Sequence, residues 1–349
     1  MMKKRVIIKI ICFAAVFVLL FVGAGQVLAY NWSPTHFLAE RYEDFEEEAQ
    51  VDVIYAGGSN AYVSIAPIVI WHQTGLTGYN FATGNSNPML VYYQLKYAFS
   101  VNKPKLVVLD VTGLDHTFDP TVSSPEGEAV FQRVFSTLPD RSLRYELLRD
   151  MKAHWPDIDT EMYLFPALRY HTRWEELTQD DFDRSGASEK YRFYRKGCYM
   201  SVKTFQKKMP EELYEIDDEV QEINMEYLEK IWGLCQENGV QLMLVNCPKM
   251  SHNQNVEDAV SAFAGENGLN YLYYRTMEEL KSTGLDPKKH FYDKAHTNIW
   301  GQRVFSEFIA GYLTEHYSFE THESDTALCE SWDQCWNQYE KYYKNAGSK

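Results

Sequence analysis

Ser59 stands in Gly57-Gly58-Ser59-Asn60, directly after the β-rich run Val51-Asp52-Val53-Ile54-Tyr55-Ala56. A serine at the point where a strand turns into a helix holds its hydroxyl at the sheet edge, and small neighbours let a substrate carbonyl approach. The first N–H groups of that helix offer a developing oxyanion hydrogen bonds and the positive end of the dipole. Serine is also a preferred helix cap, which alone would account for it. Far along the chain, Asp293-Lys294-Ala295-His296 precedes a helical pattern. Three-residue spacing on a turn puts both side chains on one side, with Asp293 accepting from Nδ1–H and Nε2 facing outward as a base. Taken singly, the pair also reads as a helix-start turn with a solvated acid. Position joins the two groups. Ser59 follows the first strand and Asp293/His296 precede the last helix, so all three fall at one sheet edge as a nucleophilic triad.

Such a triad needs a sheet with one active edge. Lys105 to Val111 is an almost wholly apolar strand of the kind buried on both faces of a parallel sheet. Around it the pattern predicts a helix from the glycine turn to about His72, a strand over Tyr79 to Ala82, a Gly/Asn/Ser/Pro loop from Gly84 to Pro88 and a helix through Phe99. Later come a helix from Val220 to Asn238 closed by Gly239, a strand from Val240 to Asn246, a helix from Val256 to Glu266, a strand near Tyr271 and a last helix from about Asn298 to Tyr312. Strands alternating with helices imply a parallel sheet between helix layers, with its site beyond the C-terminal strand ends. The alternation lapses between about Asp115 and Met209, where aromatic-rich segments predict an inserted, mainly helical cap. The expected division is an α/β domain over residues 51–318, with the cap at about 116–210 and a tail at 319–349.

The 349 residues carry 34 Lys plus Arg against 49 Asp plus Glu, a formal charge of −15, which argues against a nucleic-acid binder. Hydrophobic content of 45%, with 15% aromatics, is ample for a large core. Lys3, Lys4 and Arg5 precede an apolar run from Ile10 to Ala29, long enough at about 1.5 Å per residue to cross roughly 30 Å of hydrocarbon. The expectation for residues 1–30 is a retained transmembrane anchor with a cytoplasmic N-terminus, the alternative being a signal cleaved after Val27-Leu28-Ala29. Both leave the remaining residues outside the cytoplasm. Phe37, Leu38, Tyr42 and Phe45 suggest a juxtamembrane helix within 31–50. Of six cysteines, Cys12, Cys235 and Cys247 read as small hydrophobes, and Cys198 has no partner identifiable from sequence. Cys329 and Cys335 can pair only across a turn, because on one continuous helix their Cα atoms exceed the roughly 7 Å limit. No Cys/His spacing resembles a zinc site, no Gly-Lys-Ser/Thr phosphate loop occurs, and neither metal nor cofactor is expected.

The glycine-serine turn, Gly84 in Asn80-Phe-Ala-Thr-Gly-Asn85, the Lys-Pro-Lys-Leu-Val-Val-Leu-Asp strand and the terminal Asp-x-x-His together resemble an SGNH/GDSL hydrolase. More narrowly, the chain looks like the membrane-anchored extracytoplasmic members that accompany membrane-bound O-acyltransferases and modify cell-envelope polymers. The resemblance implies a three-layer α/β/α fold with a flavodoxin-like parallel sheet. It also implies an esterase or O-acyltransferase acting on acyl, chiefly acetyl, groups of an envelope polysaccharide. Ser59 would be the nucleophile, His296 the base, Asp293 its orienter, and the Ser59 amide and Gly84 the oxyanion donors. Gly-Gly-Ser-Asn departs from the usual Gly-Asp-Ser. Where the family's third block supplies Gly-x-Asn-Asp, this chain reads Thr112-Gly113-Leu114-Asp115, so the oxyanion asparagine becomes leucine. Asn85 or Asn87 could replace it from the neighbouring loop, although turn chemistry explains most asparagines in such loops. A non-catalytic envelope-assembly or glycan-binding subunit that keeps the fold is the rival reading.

Asn60 and Asn87 beside the serine are expected substrate contacts. His171-Thr-Arg173-Trp174 in the cap would line an acceptor groove, since Trp faces stack on sugars and Arg forks onto anions; a packed cap interior is the plainer reading. Lys190, Arg192, Arg195, Lys196, Lys203, Lys207 and Lys208 crowd a short segment that would guide an anionic glycan or simply be solvated. Asp110, Asp115 and His116 read as structural.

Overall fold

Short apolar strands can stay in register only when both faces are covered, and the computed structural model meets that condition with helices. It describes residues 2–29, 51–116, 131, 134–135, 138–182, 195–205, 209–322 and 324–347; the expected juxtamembrane helix lies outside them. Seven strands form among these residues: β1 (Val53–Ala56), β2 (Gly78–Asn80), β3 (Leu106–Asp110), β4 (Tyr214–Ile216), β5 (Gln241–Val245), β6 (Ser251–Asn253) and β7 (Asn270–Leu272). Five of them build one parallel sheet in the order β2-β1-β3-β5-β7, while β4 and β6 pair separately. Counting only the five, the order is 2-1-3-4-5, the flavodoxin-like arrangement, whose switch point lies between β1 and β3.

Alternation along the strands sorts the core into two layers. Ile54, Val107, Leu109, Leu242 and Leu244 face one side, where they meet Leu90 and Leu95 of a helix over Pro88–Val101, and Tyr227 and Ile231 of a helix over Glu222–Asn238. Val53, Tyr55, Leu106, Val108, Met243 and Val245 face the other, against Phe305, Ile309 and Leu313 of the helix Ile299–His316. The fold is thus a three-layer α/β/α sandwich. In chain order the helices are α1 (Met2–Leu28), α2 (Ser59–Ser64), α3 (Pro67–Thr74), α4 (Pro88–Val101), α5 (Arg141–His154), α6 (Glu161–Leu164), α7 (Pro166–Arg169), α8 (Glu222–Asn238), α9 (Gln254–Asn267), α10 (Met277–Ser282), α11 (Ile299–His316) and α12 (Thr326–Ala346). Within α1, Lys4–Leu28 is long and apolar enough to cross a membrane.

Three details differ from the sequence expectations. The single helix expected up to His72 is two, because Pro67 forces the preceding Ala66 into extended backbone (ψ 105°) and then opens α3 itself. The C-terminal tail is a 21-residue helix, α12, with Leu328, Trp332, Cys335 and Tyr339 buried. Trp332 packs on Trp71 at 5.0 Å, and Trp336 stacks on His72 of α3 at 3.8 Å. Cys329 and Cys335 sit on that continuous helix without a disulfide between them, since there is no turn to let them bridge. Arg195 and Lys196 are interior, 3% and 0% exposed, and are not part of a solvated basic face. The Arg195 guanidinium lies over Tyr342 at 4.8 Å and the Lys196 ammonium over Trp332 at 4.2 Å. Lys190, Arg192, Lys207 and Lys208 fall outside the described residues, while Lys203 is exposed.

Trp332→Ala should therefore cost about 3–5 kcal/mol, the usual penalty for emptying a fully buried aromatic site. Denaturant unfolding checks it, and a loss under about 1 kcal/mol would mean that α12 is peripheral to the core.

Candidate active site

β1 is an interior strand flanked by β2 and β3, and at its end the chain must turn sharply to lay α2 across the edge. Gly57 makes the turn with φ +133°, and a Cβ on it would lie 2.6 Å from the Asp110 Cβ. Gly57→Ala is expected to destabilise by more than the about 1–3 kcal/mol of backbone strain alone, seen as a lowered thermal midpoint. An unchanged midpoint would mean that the turn relaxes freely. Asp110, at the end of β3, is buried behind that turn. It accepts from the backbone N–H of Cys247 and Thr112 and from the Thr112 hydroxyl, at 3.2, 3.2 and 3.0 Å. Burial pushes its carboxyl up from the ordinary value, against the pull of those bonds. Its partners make it structural, as expected.

Gly58, not Ser59, is the N-cap of α2, and it makes no side-chain capping bond. Ser59 is the first helical residue, and its Oγ lies 2.8 Å from His296 Nε2. Capping therefore does not account for this serine. On the far side of the imidazole, Nδ1 lies 2.9 and 3.0 Å from the two Asp293 oxygens. Asp293 Oδ1 also accepts from the backbone N–H of Ala295 and His296 at 2.7 and 2.8 Å, which is what folds the Asp-x-x-His turn. Partial burial pushes the Asp293 carboxyl up, but the bonds to His296 and to those amides outweigh it and hold the group below the usual carboxylate range.

Asn60 is not presented to a substrate by its amide nitrogen, which donates to Ala295 O at 2.6 Å and ties α2 to the Asp293–His296 turn. Asn87 is buried, and its Oδ1 caps α4 by accepting from Leu90 N–H at 3.0 Å, while its Nδ2 has no hydrogen-bond partner among the described residues and keeps its donor capacity. The loop before it runs beside the serine turn, because Thr83 N–H donates to Gly57 O at 3.0 Å. That leaves buried Gly84 and exposed Asn85 next in line, Asn85 with φ +54°. Leu114 points into the core at 1% exposure and supplies nothing to the edge. Asp115 accepts from Asn253 Nδ2 at 2.9 Å, and His116 is exposed.

The expected acceptor groove does not form around Arg173. Its side chain is buried, donating to Leu28 O of α1 at 2.6 Å and to Asp181 at 2.7 Å. His171 and Trp174 flank it, exposed, with the His171 Nδ1 lying 2.7 Å from Leu168 O.

Three tyrosines that the motifs did not single out stand at the site. Tyr292 stacks on His296 with ring centroids 5.4 Å apart and planes within 8°. Tyr62, three residues after Ser59 and so on the same side of α2, meets Tyr199 edge-on at 6.0 Å. Burial first, then the neighbouring Tyr62, Asp293 and Tyr199, push the Tyr292 phenol well up, so it remains neutral. Spacing from Ser59 and Asp293 would have found Tyr62 and Tyr292. Tyr199 is non-local, held by its N–H donating to Tyr62 O at 2.8 Å as the chain returns from the insertion.

No protein family matches the chain, and no curated protein does. Among solved structures it is similar to a protein given as lipolytic and of the G-D-S-L family, from Desulfitobacterium hafniense DCB-2. The match has 9% identity over 75% of this chain and 99% of that one, with a TM-score of 0.37. So loose a superposition says nothing about chemistry.

Proposed function

We propose that this chain is an SGNH/GDSL-type serine ester hydrolase or O-acyltransferase, tethered by α1 with its α/β domain outside the cytoplasm. Its substrates would be acyl, chiefly acetyl, esters of a cell-envelope polysaccharide, and a membrane-bound O-acyltransferase is the natural partner for the transfer direction. The observation that carries the reading is the continuous hydrogen-bond chain from Ser59 Oγ through His296 to Asp293. In the first step Ser59 Oγ bonds to the ester carbonyl carbon as its proton passes to His296 Nε2. The Ser59 N–H, first in α2 and without an intrahelical acceptor, faces the resulting oxyanion, with the Gly84 loop as second donor. Collapse breaks the bond to the alcohol, which leaves with the proton from His296. Water or a sugar hydroxyl then attacks the acyl-enzyme by the same steps in reverse.

Leu114 favours a second reading, a subunit that keeps the fold without turnover, since losing one oxyanion donor costs on the order of 10²–10³ in rate. The burial of Arg195 and Lys196 also removes the core of the basic segment invoked for an anionic acceptor. A fluorophosphonate probe followed by peptide mapping separates the two readings. Label on the Ser59 peptide supports the enzyme, and an unlabelled, folded protein supports the binding subunit.

A further inference from the structure

A helix that spans a bilayer normally leaves it before its domain begins, but α1 is gripped while still apolar. Phe21 meets Phe165 with ring centroids 6.2 Å apart, and a Cβ on Gly25 would lie 3.3 Å from the Ala167 backbone nitrogen. The Arg173 guanidinium takes Leu28 O in the last turn of α1. Roughly 20 residues at about 1.5 Å each cross the hydrocarbon. Counted from Val6, directly after Arg5, the crossing ends near Gly25; counted from Ile10, it ends near Ala29. In either register Phe21 is inside, about 6 to 12 Å below the boundary, and whatever packs on it is inside too.

The packing segment is dressed for that environment. Phe165, Leu168, Trp174 and Phe182 leave 47, 45, 66 and 60% of their surface open, a concentration of large apolar groups that soluble surfaces avoid. Part of its backbone is paired within the segment, as hydrocarbon favours. The N–H groups of Leu168 and Arg169 donate to Phe165 O, and that of Tyr170 to Pro166 O. Arg173 meanwhile satisfies an end carbonyl of α1, and its own charge is answered by Asp181. The exposed Glu175 and Glu176 keep the next turn at the water boundary, where Trp174 is at home. Beside this segment, Tyr145, Leu148 and Leu164 line a groove of about 420 Å³ with Arg149 and Lys152 in its wall, a pairing of apolar and cationic surface that matches a phospholipid's acyl chain and phosphate.

We propose that residues 165–182 form a membrane foot. Phe165 and Leu168 dip into the hydrocarbon of the leaflet nearest the domain, and Trp174 and Phe182 rest among its headgroups, so that the cap is seated on the lipid and not merely hung from α1. The inference rests on α1 being a retained span, as read above.

The test uses the full chain in a Cys12→Ser/Cys329→Ser background, in which the remaining four cysteines are buried, reconstituted one copy per disc in phosphatidylcholine/phosphatidylglycerol nanodiscs. Nitroxide labels are placed singly at Phe165→Cys, Leu168→Cys, Trp174→Cys, Phe17→Cys and Glu237→Cys. Collision with oxygen, which concentrates in lipid, is compared with collision with a water-soluble nickel chelate. Phe165→Cys and Leu168→Cys should match Phe17→Cys on α1, several-fold above the oxygen-to-nickel ratio at Glu237→Cys, with Trp174→Cys between. Values at the foot equal to Glu237→Cys while Phe17→Cys remains in lipid would overturn the foot alone. A water-exposed Phe17→Cys would overturn the tether and the foot together. Shielding of the foot from both reagents would mean that the segment is buried within the chain itself, and would also overturn the proposal. Retained fluorophosphonate labelling of Ser59 in each variant separates a moved foot from a misfolded cap.

Discussion

Ser59→Ala removes fluorophosphonate labelling and lowers ester turnover on the order of 10⁶-fold, the loss found where such a triad has been dismantled. The variant should fold as before. Ser59 does not cap α2, and the substitution deletes one part-buried hydroxyl bonded to His296, a loss of about 0.5–1.5 kcal/mol. His296→Ala should fall to the same floor, because without Nε2 nothing takes the serine proton. The double variant should fall no further, since members that act as one unit are not additive. Labelling is the better readout than turnover here. It records a single attack, so it survives the slow rate expected of a site in which Leu114 replaces an oxyanion donor. Persistent labelling of Ser59→Ala at any other residue would sink the assignment, and full turnover would sink it outright.

The parts of this fold that local pattern controls were readable in the sequence. Lys105 to Val111 had to be a doubly buried strand, since no amphipathic alternative suits an apolar run that short, and it is the centre of the sheet. Ser59 and the Asp293–His296 turn were readable because each sits at an element boundary, and chain order in a parallel α/β sheet then brings those boundaries to one edge. What the pattern could not carry was the use of long polar side chains. Lys196 looked like solvated charge, yet it lies over Trp332, because α12 covers a segment more than 130 positions earlier in the chain. Arg173 read either as an anion fork in an acceptor groove or as part of a packed cap interior, and the structure buries it against a backbone carbonyl at the end of α1 and Asp181. The Asn60 amide nitrogen went the same way, to Ala295 O, whereas Asn87 gives only its carbonyl oxygen to the start of α4. A side chain's type states which bonds it can make; only the fold decides which groups come within reach.

Asp293→Asn is expected to lower turnover by up to about 10⁴-fold at neutral pH while leaving the turn in place. The asparagine carbonyl can still accept from the N–H groups of Ala295 and His296, which now bond to Asp293 Oδ1, so the backbone that carries the imidazole does not move. What changes is the group facing Nδ1. A carboxylate only accepts and therefore keeps the proton on Nδ1 and the lone pair on Nε2, 2.8 Å from Ser59 Oγ. An amide nitrogen donates, turns Nδ1 into the acceptor and moves the ring proton to Nε2, where it blocks the serine proton from leaving. The same bonds fix the pH behaviour. They hold the Asp293 carboxyl below its unfolded value of about 3.9, so its contribution to stability is complete above that pH and is lost as pH falls through the lower folded value. The asparagine variant lacks this titration, so its acid unfolding curve should be flatter than the wild type's below about pH 4. Turnover within a few-fold of wild type would remove Asp293 from the mechanism, and identical acid curves would mean that its hydrogen bonds to His296 and the two amides do not persist in solution.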